Sequence, residues 1–348
     1  MPYMQSFKNI LIVRTDRMGD VILTTPAIRA LRQKFPDARL SILVAPATAD
    51  LVRGNHDVDE VLVDDRKNMY KKWRFFRLVS QLRQRRFDLA IIFHTKKRTN
   101  MLCFLAGIPY RLGYRNKKFG FLLNHPIVDT RPLGLMHEAQ YCMDVLRPLG
   151  IAGGELQVHV PLQKEAEAWV ESFWNQQHSK LAHPVIAIHS GASCPTRRWP
   201  SKCFVEVMKS LQQKYRASFI LVGAADQNAF SKELLQGLQK SVVDLMGNTS
   251  LAQLASVLNR CDLLISSDSG PVHLADGLGT PVVSIFTRNQ PGINPERWRP
   301  LSSRSRVVAP PLDMSISFAK GEVLDAQFLE LIQPQEVLAV VDDILKLC

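Results

Sequence analysis

The sequence predicts an α/β protein made of two doubly wound units with parallel sheets. Three observations carry this. Short apolar runs alternate with helical patterns from the first residues onward, starting with Lys8–Arg14 (KNILIVR) and a helix carrying Val21, Ile22, Ile28 and Leu31. The same alternation restarts after Pro184, where Val185–Ile188 (VIAI) reads as a strand. A chain of 348 residues is long for one core and comfortable for two.

In the first half, the turn Thr15–Asp20 (TDRMGD) separates the first strand from the first helix, with Pro26 in that helix's first turns. Leu40–Val44 and Val58–Val63 are the next strands, the latter closed by Asp64 and Asp65. A basic amphipathic helix over 70–85 leads to the strand Leu89–Phe93. His94, Lys96, Lys97 and Arg98 then sit at that strand's carboxyl end, where such folds hold their ligands. His137–Leu149 is a helix, and Gly150–Gly154 a linker. In the second half, helices over 163–178, 201–214 (Ser201 as cap) and 251–258 alternate with strands Ser218–Val222 and Val242–Leu245. A terminal helix, Pro334–Leu347, follows the irregular segment 309–325. The halves share an architecture, with no sequence repeat between them.

The segment Leu263–Phe286 (LLISSDSGPVHLADGLGTPVVSIF) is the most informative stretch. An apolar run ends in Ser266–Gly270, a helix carries His273, Leu274, Ala275 and Leu278, and Gly279 and Pro281 stop it before the next strand. A loop at a strand's end and a helix's start gathers unpaired backbone N–H groups, which suits a phosphate. Gly270 lets an anion approach the backbone, and Ser269 and His273 offer side-chain donors. Asp268 repels phosphate and suits a sugar hydroxyl or loop amides instead. Asp and Ser are also the usual N-caps, so these residues alone fit a plain capped helix equally well.

Two further loops leave strand ends in this half, and all three are expected to point into a cleft between the units. In the first, Ser190, Ser193 and Thr196 offer hydroxyls beside Arg197 and Arg198, a set suited to a diphosphate, with Arg197 the better candidate. Packing of one arginine on Trp199 is the plain alternative. In the second, Asp226 or Gln227 suits a ribose hydroxyl, and Asp226 suits a helix cap as well. In the first half, Asp20 follows Gly19 at a helix start, which fits either an N-terminal carboxylate or a general base for a sugar hydroxyl. Arg14 and Arg17 are expected to lower its pKa and to help hold an anionic acceptor.

The net charge of +12 is one-sided. Residues 1–150 hold 26 Lys/Arg against 13 Asp/Glu, whereas 151–348 hold 18 against 19. Arg66–Lys118 alone has 16 bases and one acid, Asp88. That imbalance points to a polyanionic partner or an anionic membrane surface. The six cysteines show no metal spacing and read as reduced thiols of a cytosolic protein. The apolar run Ile10–Val13 is too short for a signal peptide, and no stretch of about 18 apolar residues predicts a membrane span.

Taken together, Ile10–Pro26 (ILIVRTDRMGDVILTTP), Ser190–Pro200 (SGASCPTRRWP), Ser267–Phe286 (SDSGPVHLADGLGTPVVSIF) and, more weakly, Asn294–Pro300 (NPERWRP) resemble the heptosyltransferases of glycosyltransferase family 9, which build the lipopolysaccharide inner core. The resemblance implies a GT-B fold of two Rossmann-like domains facing a cleft: 1–155 binding the acceptor, 156–325 binding the nucleotide sugar, and a C-terminal helix in 326–348 crossing back to the first domain. It implies inverting transfer of heptose from ADP-heptose to a Kdo or heptose hydroxyl, with no cofactor and no metal. The proposed base of the family's Met-Gly-Asp motif falls on Asp20, and the basic residue opening that loop on Arg14. The basic residue before the Trp-Pro pair falls near Arg197. The donor-binding set falls on Asp268, Ser269, Gly270 and His273. The ribose-binding acid matches either Asp226 or Gln227, and the run Ser193–Thr196 departs from some members. Arg14, Arg17, Lys96, Lys97 and Arg98 are then expected to bind the anionic lipopolysaccharide acceptor, with peripheral contact at the cytoplasmic face of the inner membrane. Two other readings compete. A nucleotide-sugar epimerase of the same architecture leaves the basic first half unexplained. A nucleic-acid-binding protein suits the basic pI of about 9.5 but lacks any known motif and any regular interleaving of aromatic with basic residues.

Overall fold

Two six-stranded parallel sheets organise the chain, one in each of two units that divide between Pro161 and Leu162. The computed structural model describes residues 6–65, 71–177, 181–192, 197–224, 238, 240–287, 292–310 and 331–346. The expected boundary at 155 lies six residues before the observed one.

In the first unit the strands are β1 (Asn9–Arg14), β2 (Arg39–Val44), β3 (Glu60–Val63), β4 (Leu89–Ile92), β5 (Tyr110–Tyr114) and β6 (His125–Ile127), in the order β3-β2-β1-β4-β5-β6. In the second they are β7 (Val185–His189), β8 (Ser218–Leu221), β9 (Val242–Asp244), β10 (Leu263–Ser267), β11 (Val282–Ile285) and β12 (Arg306–Val308), in the order β12-β11-β10-β7-β8-β9. Counted within each unit, both sheets run 3-2-1-4-5-6, the Rossmann order. Their topological switch points therefore lie between β1 and β4 and between β7 and β10. Ligands of such sheets bind outside the carboxyl ends of those strands.

Buried on both faces, the central strands are almost wholly apolar, as Ile10–Val13 and Leu263–Ile265 show. A corresponding aspartate breaks the pattern just before the fourth strand of each unit. Asp88 accepts the backbone N–H groups of Lys8 (2.7 Å) and Asn9 (3.2 Å) at the start of β1. Asp262 accepts that of Val185 (2.7 Å) at the start of β7. Each satisfies amides that the parallel ladder leaves open at its edge. This explains the one acid inside the basic run.

The first helical stretch is two helices, α1 (Met18–Ile22) and α2 (Thr25–Lys34), rather than the single helix expected. Pro26 lacks an N–H and crowds the preceding turn, so the chain restarts with Pro26 in the first turn of α2. The basic helix α3 (Lys71–Gln84) packs beside α4 (Lys97–Leu105) on one side of the first sheet. Leu78, Val79 and Leu82 of α3 join Leu102 and Cys103 of α4 and Val13 of β1 in one buried cluster. After α5 (Glu138–Val145) and α6 (Lys164–Gln177), α7 (Ser201–Tyr215) begins with Pro200 as its N-cap, so Ser201, expected to cap it, is its first helical residue. α8 (Leu251–Arg260) opens with a capping box between Ser250 and Gln253, and α9 (Gly270–Leu278) follows β10. The short α10 (Pro295–Trp298) precedes β12.

The C-terminal helix, expected to cross back to the first domain, is α11 (Pro334–Leu345). It packs on α7 and buries Val337, Val341 and Ile344 with Phe204 and Val207 in the core of the second unit. Trp199 locks this arrangement: fully buried, it donates from Nε1 to the Ile332 carbonyl at 3.0 Å and sets its ring edge-on to Phe204. No described helix is long and apolar enough to cross a membrane.

Candidate active site

At the first switch point, β1 ends on Arg14, and the loop Thr15–Arg17 turns into α1. The Arg14 guanidinium is almost completely buried, at 1% exposure, which an arginine tolerates only when every donor is paired. Its Nε donates to the Asp20 carbonyl (3.1 Å) and its Nη1 to the Phe93 carbonyl at the end of β4 (2.6 Å). Its Nη2 donates to Asp20 Oδ1 (2.9 Å) and to Glu138 Oε1 (2.8 Å). Asp16 Oδ1 lies 3.3 Å from Nε. One buried cation thus gathers three carboxylates.

This crowding sets the acidity of Asp20. Burial raises its pKa, Arg14 lowers it, and the negative charges of Asp16 and Glu138 raise it again, so the carboxyl is pushed up to about 6. Arg14 and the Arg17 backbone N–H do lower it, as expected, but desolvation and two like charges outweigh them, so the net shift is upward. The side chain of Arg17 is exposed, and its link to Asp20 is a long backbone N–H contact of 3.4 Å. Asp16 shifts the other way. Burial raises it, but Arg14, His94 and Lys96 together outweigh that and hold it below the usual carboxylate range.

The basic segment after β4 divides. Lys96 joins the cluster, its Nζ donating to the Thr15 carbonyl at 3.0 Å. The buried His94 sets Nε2 at 3.4 Å from Thr15 Oγ1 and 3.2 Å from Thr99 Oγ1. Lys97 instead lies over the Phe119 ring, 5.4 Å from its centroid. Arg98 makes a two-pronged pair with buried Asp64, from Nη2 at 2.6 Å and from Nε at 3.0 Å, and stacks over Phe75. Of the five residues expected to hold the acceptor, Arg14 and Lys96 are brought to Asp20's surroundings, and Arg98 is committed to the framework.

Sequence reasoning missed Glu138, which is as buried as Arg14. It opens α5, where His137 Nδ1 caps the Ala139 N–H at 3.2 Å. An acid in a helix's first turn ordinarily serves the helix dipole, so its type and position give no hint of a partner 124 residues away.

At the second switch point, Ser269 is extended and precedes α9. Its hydroxyl does not cap the helix. It donates to the Ser267 carbonyl at 2.8 Å and lies 3.0 Å from His189 Nδ1. The first turn of α9, with Gly270 partly exposed at its start, therefore has no side-chain cap on its amides. Burial, aided by Arg198, pushes the His189 pKa down to about 4, so the ring beside Ser269 is neutral. Arg197 Nη2 donates to Asp268 Oδ2 (2.6 Å) and to the Asp268 carbonyl (2.7 Å). Arg197 Nε and Ser190 Oγ are buried with no hydrogen-bond partner among the described residues. Arg198 donates from Nε to the Ala192 carbonyl at 3.0 Å. His273 is buried one turn into α9, its ring 6.3 Å from that of Trp298. Ser190, Arg197, Asp268, Ser269, Gly270 and His273 thus gather around the ends of β7 and β10. Ser193, Thr196, Asp226 and Gln227 lie outside the described residues.

The family model for Glycosyltransferase family 9 (heptosyltransferase) matches residues 75–326. Among known proteins, a putative glycosyltransferase of Haemophilus influenzae is 26% identical over 343 residues, with 95% of each chain covered. Lipopolysaccharide heptosyltransferase 2 of Escherichia coli is 24% identical over 318 residues, covering 86% of this chain and 87% of its own. Among solved structures, a glycosyl transferase family 9 protein from Veillonella parvula superposes with a TM-score of 0.86 at 21% identity, over 98% of both chains. The Escherichia coli heptosyltransferase WaaC, solved with ADP-2-deoxy-2-fluoro heptose, superposes with a TM-score of 0.71 at 17% identity, over 96% of this chain and 99% of that one. The fold class is the GT-B one that the sequence motifs imply.

Proposed function

The chain belongs to glycosyltransferase family 9, the heptosyltransferases, and we propose that it transfers heptose from ADP-heptose to a Kdo or heptose hydroxyl of the lipopolysaccharide inner core, with inversion. The observation that carries the mechanism is Asp20: a half-buried carboxylate at a switch point, its pKa pushed up to about 6. A general base works best with a pKa near the working pH, and most of this group is deprotonated at pH 7. Asp20 takes the proton from the acceptor hydroxyl as its oxygen bonds to the anomeric carbon. The bond from that carbon to the diphosphate breaks, and its electron pair leaves with ADP.

The departing diphosphate is met by the second unit. Uncapped amides at the start of α9 face an anion, and Arg197, fixed by Asp268, supplies the charge. Each such donor is worth about 3 kcal/mol of barrier. The Ser269 hydroxyl, already bonded within the loop, shapes that start rather than gripping phosphate. Lys96 and the exposed Arg17 supply positive charge for an anionic sugar on the acceptor side, while Arg14 is committed to the carboxylates. The acceptor is lipid-anchored, so the enzyme works as a peripheral protein at the cytoplasmic face of the inner membrane.

The test is mass spectrometry of truncated core acceptors incubated with ADP-heptose. A gain of one heptose on one acceptor supports the reading. Consumption or isomerisation of the donor with no acceptor product overturns it.

A further inference from the structure

The exposed aromatic residues of the first unit are not scattered. Trp73 and Phe76, 63% and 61% exposed, stand at i and i+3 on the outer side of α3, with Arg77 over the Trp73 ring at 5.4 Å. The opposite side of the same helix, through Phe75, Leu78 and Leu82, is buried. On the neighbouring α4, Phe104 is exposed, with Arg111 5.5 Å from its ring. The short turn Gly120–Leu122, which packs on α4, carries Phe121 at 80% exposure. Arg83 Nη2 ties α3 to α4 through the Leu105 carbonyl at 2.8 Å. α3 itself (KKWRFFRLVSQLRQ) has five bases and no acid.

We propose that this face, formed by α3, α4 and the turn after β5, seats the protein on an anionic lipid bilayer, with Trp73 and Phe76 entering the headgroup layer and Arg77 and Arg111 meeting lipid phosphates. The choice of a bilayer rests on the reading of the acceptor as a lipid-anchored glycolipid. The face's own chemistry agrees. Aromatic rings at the edge of an apolar phase, flanked by arginines on a helix without acids, suit an interfacial helix on negative lipid. A second copy docking through the same patch would press two basic surfaces together. Two of the four exposed rings, Trp73 and Phe104, already have an arginine over them, which leaves fewer free faces for the base stacking that a nucleic acid needs.

The full-length protein is tested by flotation with vesicles of phosphatidylethanolamine and phosphatidylglycerol, and with vesicles of phosphatidylcholine alone. The wild type is expected to float with the first and not the second, and to be released as salt is raised. The double variant Trp73→Ser/Phe76→Ser, whose side chains lie outside the core, is expected to keep its melting temperature and to lose at least about tenfold in vesicle affinity. The single variant Arg77→Glu is expected to weaken only the salt-sensitive part. Unchanged flotation of the double variant overturns the proposal. So does salt-independent binding, a dimer in sedimentation that this variant abolishes while vesicles are ignored, or binding of single-stranded RNA without binding of vesicles. Transfer to a delipidated acceptor separates this from the proposed function. Flotation without transfer leaves the face standing and removes the activity; transfer without flotation does the reverse.

Discussion

Arg14 and Glu138 meet at 2.8 Å with both side chains only 1% exposed, although 124 residues separate them. The same Nη2 that reaches Glu138 also reaches Asp20, so neither carboxylate has the guanidinium to itself. Burial raises the Asp20 pKa, Arg14 offsets part of that, and the nearby charges of Asp16 and Glu138 raise it again, which leaves it at about 6.

Replacing Asp20 with asparagine is expected to cut turnover by about 10²–10⁴-fold, the usual contribution of a general base. Donor binding, read as the ADP-induced rise in melting temperature, is expected to persist. Turnover within a few-fold of wild type would remove Asp20 from the mechanism.

The raised pKa also fixes the sign of a pH effect. Between the ordinary carboxylate value of about 4 and the folded value of about 6, the folded protein holds a proton on Asp20 that the unfolded chain has lost. This group's stabilisation is therefore complete below pH 4 and gone above about pH 6. Activity runs the opposite way, rising about tenfold per pH unit below 6 and levelling above about 7. Asp20→Asn should flatten the acidic limb of any residual rate and should not lower the melting temperature at pH 7.

Glu138→Gln removes one negative charge next to Asp20 and one partner of a buried cation. The acidic limb of the rate profile is expected to move to lower pH, because Arg14 then favours ionised Asp20 more strongly. Stability is expected to fall by about 3 kcal/mol, as when a buried pair loses one member. A destabilised variant whose pH profile does not move would show Glu138 to be purely structural.

On the donor side, Arg197→Ala is expected to weaken ADP binding about tenfold or more. Ser269→Ala is expected to change it far less, since that hydroxyl is bonded to the Ser267 carbonyl. Isothermal titration with ADP ranks the two, and the reverse ranking would return Ser269 to the phosphate.

Arg98→Ala should lower the melting temperature while leaving donor affinity intact. Asp64 is buried and would lose its two-pronged partner, costing about 2 kcal/mol after allowance for the part-exposed arginine. Lys96→Ala, beside the Thr15 carbonyl, is expected to raise the acceptor KM instead.

The sequence by itself determined what local pattern can determine. Apolar runs such as Ile10–Val13 and Leu263–Ile265 can only be central parallel strands, and the loops that follow them must sit at strand ends. The position of Arg14, Asp20, Asp268 and Gly270 at strand ends and helix starts was legible for that reason. Only the tertiary structure decided which charges meet. Glu138 and His94 arrive from other elements, Arg98 turns to Asp64, and Ser269 turns to His189. Strand and helix follow from the periodicity of neighbouring residues, whereas a carboxylate's partner and pKa depend on which distant side chains share its desolvated space, and no spacing along the chain encodes that.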